Sequence, residues 1–326
     1  MVRPQSPEKQ ELAKRGIKST RLPYLAALRP RQWTKNLVIF AAPLFAFNLT
    51  LQSILACLLA FALFCCASSG FYLINDIADV ESDRQHPVKC KRPIAAGLVS
   101  IPAAISMSVV LLLTAAIVGW LRSPGLGMTL IGYMCLQLAY NLKLKRTPIL
   151  DIVAIATGFV LRAYAGAAAT GMFLSAWFLL CTAMLALFLA IEKRKAELRL
   201  SEIKGGKTRA VLKRYSLPLL SRMESTVTTG AFMSYTLWSA GPILSGATTP
   251  WMMLTVPFVL YGIFRYQMLS DPKDIIAETG DNLGQRQYTE RPEEVLLTDI
   301  PIMLTVISWT FTIFMILLLK NYGIIE

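Results

Sequence analysis

"LQSILACLLAFALFCCASSGFYLINDIADVESD", residues 51–83, decides the fold. Residues 51–74 carry no charge. A helix of about 20 such residues crosses the hydrocarbon core of a bilayer. The remaining nine residues bring an amide, Asn75, and four carboxylates, Asp76, Asp79, Glu81 and Asp83. The stretch therefore reads as a membrane-spanning helix that ends in an oxygen-rich strip. At about 100° per residue, with Asn75 at zero, Asp79, Asp83 and Asp76 fall at about 40°, 80° and 100°. The four side chains share one face along about 12 Å of axis, and Glu81 points away. Carboxylates at the end of an apolar run are costly unless a positive partner offsets them, which marks them as functional. The strip suits Mg²⁺, which takes oxygen ligands and commonly bridges one or two carboxylates to phosphates. Asn75, Asp79 and Asp83 are its candidate ligands, and Asp76 joins them as a candidate catalytic residue.

Similar apolar runs recur along the 326 residues, 55% of which are hydrophobic. Nine spans are expected, at about 37–49, 51–75, 100–121, 125–141, 149–169, 173–191, 219–241, 250–269 and 300–319. "NLT" makes the first the weakest. The fold class is all-α and polytopic. The expected organisation is a flexible basic arm at 1–27, one transmembrane catalytic domain at 28–320 and a short tail at 321–326. No cleaved signal peptide is expected, because the N-terminus is long and polar before its first apolar run.

The net charge of +13 raises nucleic acid as a partner. Its distribution points elsewhere. With the N-terminus placed inside and the spans alternating, 30 of the 33 Lys and Arg fall on the cytoplasmic side. The charge thus reads as topology, with some left for anionic ligands or membrane lipids. It places the C-terminus outside, in a cell (inner) membrane. The six cysteines lie mostly in spans, and none has a paired metal spacing, so they read as small apolar fillers. The one histidine, His86, precedes a proline and reads as a solvated turn.

"HPVKCKRPIAAG" follows the acids and supplies Lys89, Lys91 and Arg92, cations suited to phosphate oxygens or to a positive-inside loop. In the fifth span Asp151, Gly158 and Arg162 share a face, with Arg162 about 16 Å deeper than Asp151. A substrate role or an ion pair to another helix would account for both. Tyr140, Lys143 and Lys145 sit where the fourth span ends, and Arg265 and Tyr266 near the end of the eighth. Trp33 suits a membrane interface.

"NDIADVESD", "KRPIAAG" and "RPRQWTKN" resemble the motifs of the UbiA superfamily of intramembrane prenyltransferases, and the resemblance runs from about Leu28 to Lys320. It implies about nine helices around a central cavity open to the cytoplasm, a Mg²⁺-bound diphosphate on the Asn75–Asp83 strip, and Lys35 reaching that diphosphate. Typical members carry a second Asp-rich motif after the sixth span. Here that place holds "EKRKAEL", with Lys193, Arg194 and Lys195 between Glu192 and Glu197. A basic site favours direct contact with a second phosphate, through Lys193 and Arg194.

"LRPRQWTKNLVIFAAPLFAFNL", "YNLKLKRTPILDIVAIATGFVLRAYAGAAATG" and "RPEEVLLTDIPI" resemble one branch, the decaprenyl-phosphate phosphoribosyltransferases. That resemblance implies phosphoribosyl pyrophosphate as donor, decaprenyl (polyprenyl) phosphate as acceptor, and a product used in cell-wall arabinan synthesis. Two other readings stand beside it. A prenyltransferase acting on an aromatic ring predicts a second Asp-rich motif. An ion-coupled transporter predicts an internal repeat, and no convincing one is found. Self-association is left open.

Overall fold

The computed structural model describes residues 22–86, 88–204, 211–270, 295 and 298–325. Most of the expected N-terminal arm, the loop around Gly205 and Gly206, and most of the polar segment 270–299 lie outside the described residues. Every described element is helical: α1 Pro23–Ala27, α2 Ala41–Phe45, α3 Leu51–Ala78, α4 Val80–Gln85, α5 Ile101–Arg122, α6 Pro124–Leu142, α7 Leu150–Thr170, α8 Ala176–Lys204, α9 Leu217–Ser239, α10 Val256–Leu269 and α11 Ile300–Asn321, with short 3₁₀ segments between them.

Local chemistry sets the boundaries. Ser100, Ser216 and Asp299 cap α5, α9 and α11, each accepting a hydrogen bond from the backbone N–H three residues on, and each helix has a proline in its first turn. Gly171 ends α7 at φ 72°, a left-handed conformation that glycine adopts without strain.

Among the described residues, six helical stretches are long and apolar enough to span a bilayer: Leu51–Ala78, Ile101–Arg122, Leu150–Thr170, Ala176–Arg199, Pro250–Leu269 and Ile300–Asn321. The expected spans at 125–141 and 219–241 are helical, as α6 and α9. They are less apolar, α6 carrying glycines and Gln137, and α9 carrying Arg222, Glu224 and many hydroxyls. The expected first span is not one helix: Pro30–Phe40 is a 3₁₀ segment and α2 has five residues. Much apolar surface stays uncovered. On α5, Ile105, Val109, Val110, Leu113 and Ile117 are exposed, a face suited to lipid rather than water.

The chain divides into two compact units. The first comprises the described residues of Met1–Asn36 with Leu59–Gln137. In it α5 packs on α3 at Gly70, whose carbonyl accepts from Ser108 Oγ at 3.0 Å. Ile94 and Val99, from the loop after α4, are buried with Leu73 and Val80. The second unit comprises Leu37–Leu58 and the described residues of Leu138–Glu326. Its centre is α8 packed between α7 and α9, with Ile152, Ile191, Leu212, Tyr215 and Leu220 buried together. At another point in this unit Phe45, Phe178, Trp238 and Trp309 pack ring against ring.

Candidate active site

The acidic strip lies in the first unit. α3 ends at Ala78 and α4 starts at Val80, so the strip is not one unbroken helix. Asp79 N donates to Asn75 O at 3.0 Å and Asp83 N to Asp79 O at 2.8 Å, which carries the helical turn through the junction. Asp76 and Asp83 are each 2% exposed. Arg92 joins them: its Nη1 donates to Asp76 Oδ1 at 3.0 Å and to Asp83 Oδ2 at 2.6 Å. Arg29 Nη2 donates to the same Asp76 oxygen. Asn75 and Asp79 are half-exposed. The Asp79 carboxylate makes no hydrogen bond or ion pair among the described residues. The strip thus has two characters, a buried pair of acids neutralised by guanidinium groups and a more open amide and carboxylate.

The loop after α4 explains how Arg92 reaches the acids. His86 Nδ1 accepts from the N–H groups of Val88 and Lys89, at 3.2 and 3.3 Å, and fixes the turn. The burial of Ile94 and Val99 then anchors the far side of the loop. Lys89 is half-buried in a 3₁₀ turn, and Lys91 is exposed at its end. Trp33 donates through Nε1 to Ser69 Oγ at 3.1 Å. Ser69 Oγ donates to Leu28 O at 2.9 Å, so the segment before the first apolar run is tied to α3. Lys35 is half-buried on that segment.

The second cluster lies in the second unit and differs from its expected character. Arg194 is 1% exposed and Asp151 0%. Arg194 Nε donates to Asp151 Oδ2 at 2.8 Å, and its Nη1 donates to Glu197. Tyr215 Oη donates to Asp151 Oδ1 at 2.8 Å. Burial pushes the Tyr215 phenol up to about 12, and the neighbouring Asp151 carboxylate adds to the shift. Lys195 Nζ donates to Glu192 Oε1 at 2.7 Å and to Glu224. Gln267 Nε2 completes this network with a 2.8 Å bond to Glu224 Oε1.

The run that reads as basic in sequence is therefore matched by four carboxylates, because a buried cation without a counter-ion is costly. Arg194, expected to face a phosphate, ties α8 to α7 in this arrangement. Lys193 is half-exposed. Asp151 and Arg162 share a helix face but have different partners. Arg162 Nη1 donates to the Gly158 carbonyl at 2.7 Å, and its guanidinium lies 5.4 Å from the Phe159 ring centre. Tyr140 and Lys145 are half-buried and Lys143 exposed around the end of α6. Arg265 pairs with Asp299 at 2.9 Å, and the Tyr266 ring packs on Phe188.

Arg29, Tyr215 and Glu224 are central to these clusters and were not among the sequence candidates. Only Arg29 carries a local signal, as the arginine before the proline in "LRPRQW". The other two sit on remote elements, and no periodicity connects them to their partners.

The UbiA prenyltransferase family model matches residues 36–277, which include the acidic strip and both buried networks of α8. The chain belongs to the UbiA prenyltransferase family. With its apolar helices, this makes it a multi-pass membrane protein. Among curated relatives, the decaprenyl-phosphate phosphoribosyltransferase of Corynebacterium glutamicum is 39% identical over 302 residues, covering 89% of this chain and 85% of that protein. The enzyme of the same name from Mycolicibacterium smegmatis is 36% identical, covering 89% of this chain and 90% of that protein. The UbiA fold is shared with a homologue from Archaeoglobus fulgidus solved with GPP and Mg²⁺, at a TM-score of 0.63 and 19% identity, over 90% of this chain and 99% of that one.

The UbiA strip fits a hard divalent cation by donor type. Asn75, Asp79 and Asp83 offer amide and carboxylate oxygens, and the arginines beside them suit an anionic ligand carried with the metal.

Proposed function

We propose that this UbiA protein transfers the 5-phosphoribosyl group of phosphoribosyl pyrophosphate to decaprenyl phosphate and releases diphosphate. The observation that carries this reading is the 39% identity to a decaprenyl-phosphate phosphoribosyltransferase along 89% of this chain and 85% of that enzyme. The second cluster supports it. Glu192 and Glu197, the acids left where other members carry a second Asp-rich motif, are each bound to a cation on their own helix. The cations Arg194 and Lys195 beside them make this a mixed-charge cluster rather than an Asp-rich one, which favours the phosphoribosyl reading over the aromatic prenyltransferase reading.

Asn75, Asp79 and Asp83 would hold Mg²⁺, which when bound neutralises charge on the diphosphate. Arg92, with Lys89 and Lys35, places donors for phosphate oxygens beside the strip. The bond from the sugar C1 to the diphosphate oxygen breaks, and the electron pair leaves with the diphosphate. A phosphate oxygen of the lipid acceptor forms the new bond to C1. No general base is needed, because that oxygen is already anionic at neutral pH. This accords with a chain whose single histidine serves a loop turn. Electrostatic stabilisation of the leaving group is then the main catalytic contribution. Lys193 and Tyr140 are assigned to the remaining donor groups. The polyprenyl tail is assigned to apolar surface such as the open groove between α10 and α11, lined by Phe258, Tyr261 and Leu304. By the basic-residue bias the reaction faces the cytoplasm, from a cell membrane with the N-terminus inside.

The test is diphosphate release by the purified protein with Mg²⁺, each substrate supplied alone and then together. Release that requires both phosphoribosyl pyrophosphate and a polyprenyl phosphate is expected. Release from a prenyl diphosphate with an aromatic acid, and none from the sugar donor, would overturn the reading.

A further inference from the structure

Arg29 has features of a built site. Its backbone sits at φ 55°, a left-handed conformation rare for a residue with a side chain. Such strain persists where the surroundings fix it and is common at ligand clamps. Here Ser69 holds the carbonyl of Leu28, and Trp33 holds Ser69. Ser69 and Asp76, seven residues apart, lie within about 20° on the same face of α3. The guanidinium lies 4.9 Å from the Tyr72 ring centre, and its Nη2 donates to Asp76. Arg92 approaches the same carboxylate from the loop after α4, and the two meet on one oxygen, Asp76 Oδ1.

Two guanidinium groups on one carboxylate oxygen need an explanation. Both bonds use Asp76 Oδ1, and the Asp76 side chain is 3% exposed, whereas those of Arg29 and Arg92 are 25% and 26% exposed. Each guanidinium has five N–H donors in a planar fork that matches phosphate oxygens. Only some of those donors are used by Asp76 and Asp83. The half-exposed Asp79 carboxylate takes no part in this arrangement.

We propose that Asp76 is a positioning residue, that it holds Arg29 and Arg92 as a paired guanidinium clamp for the diphosphate, and that Arg29 is therefore a substrate-binding residue. This rests on the reading that a diphosphate binds at the strip. It divides the motif: Asn75, Asp79 and Asp83 would hold the metal, Asp83 also bonding Arg92, and Asp76 organises the arginines.

The test uses the full-length protein in nanodiscs, with Mn²⁺ alone and then Mn²⁺ with inorganic pyrophosphate, followed by electron paramagnetic resonance and calorimetry. Asp76→Asn should keep Mn²⁺ affinity within about twofold and lose pyrophosphate affinity by about tenfold or more. Asp79→Asn should lose Mn²⁺ binding itself. Arg29→Gln should lose pyrophosphate affinity by about tenfold, and Arg29→Lys should recover only part of it, because an ammonium lacks the fork. A tenfold loss of Mn²⁺ affinity in Asp76→Asn would make Asp76 a metal ligand and overturn the proposal. So would unchanged pyrophosphate affinity in Arg29→Gln, which would reduce Arg29 to a structural pin. If Asp76→Asn does not fold, the Arg29 variants decide alone. Pyrophosphate is common to sugar and prenyl donors, so an error about the donor leaves this result standing. If the unaltered protein binds no pyrophosphate with Mn²⁺, the diphosphate reading and the clamp fall together.

Discussion

At the scale of single residues, the division of labour within Asn75–Asp83 makes the sharpest claims. Asp79→Ala should cut turnover by about 100-fold or more, the scale of losing one electrostatic contributor at a reacting centre. Its thermal unfolding should stay near that of the parent, because the Asp79 side chain is half-exposed and pairs with none of the described residues. Retained turnover would remove its assigned role.

A second residue-scale prediction concerns Asp299. Burial alone would raise its pKa, but hydrogen bonds from Arg265 and the Ile302 N–H outweigh that and hold it below the ordinary carboxylate value. A depressed pKa contributes stability that is present above the unfolded value of about 3.9 and is lost as pH falls through the folded one. Thermal unfolding of Asp299→Asn should therefore start below that of the parent at neutral pH, and the gap should close below about pH 4. A gap independent of pH would contradict this. The acids of the strip were readable from sequence because helical period places them on one face. Their partners were not: Arg29 and Asp76 are 47 positions apart, and Tyr215 and Asp151 are 64. Pairing at such separations is fixed by packing, which leaves no periodic trace.

At the scale of elements, apolar runs of helical length predicted most of the helices. The first expected span failed for a physical reason. Thirteen residues in a helix cover about 20 Å, less than the roughly 30 Å of a bilayer core. The chain there packs closely on α7: a Cβ on Gly166 would lie 2.0 Å from the Ile39 carbonyl oxygen. Gly166→Ala should lower stability by about 1–3 kcal/mol, seen as a reduced unfolding midpoint. An unchanged midpoint would mean that the Ile39 backbone yields to the added methyl group.

The α8 networks carry the other element-scale prediction. Lys195→Met leaves Glu192 and Glu224 buried without their cation, a loss of about 3–5 kcal/mol. Returning the cluster to its original net charge with Glu224→Gln in the same chain should recover part of it. Composition misled here. Three consecutive cations read as a basic phosphate site, yet the carboxylates that match two of them come from α7, α8 and α9 together.

At the scale of the whole molecule, the run of apolar helices makes a polytopic membrane protein, and the match over residues 36–277 makes it one of the UbiA family. The basic bias further predicts an external C-terminus: alkaline phosphatase fused after Glu326 should be active, and an inactive, stable fusion would reverse the assigned orientation. Fold class was readable because bilayer thickness imposes a length on every span. The choice of donor was readable only through resemblance, since a sugar diphosphate and a prenyl diphosphate present the same group to the same strip.

That choice is the central claim, and the mass of the lipid product tests it most directly. Purified protein supplied with phosphoribosyl pyrophosphate, Mg²⁺ and decaprenyl phosphate should yield a lipid heavier by one phosphoribosyl group, with one diphosphate released per product. A lipid of unchanged mass, together with prenyl transfer to an aromatic acid by the same preparation, would contradict it.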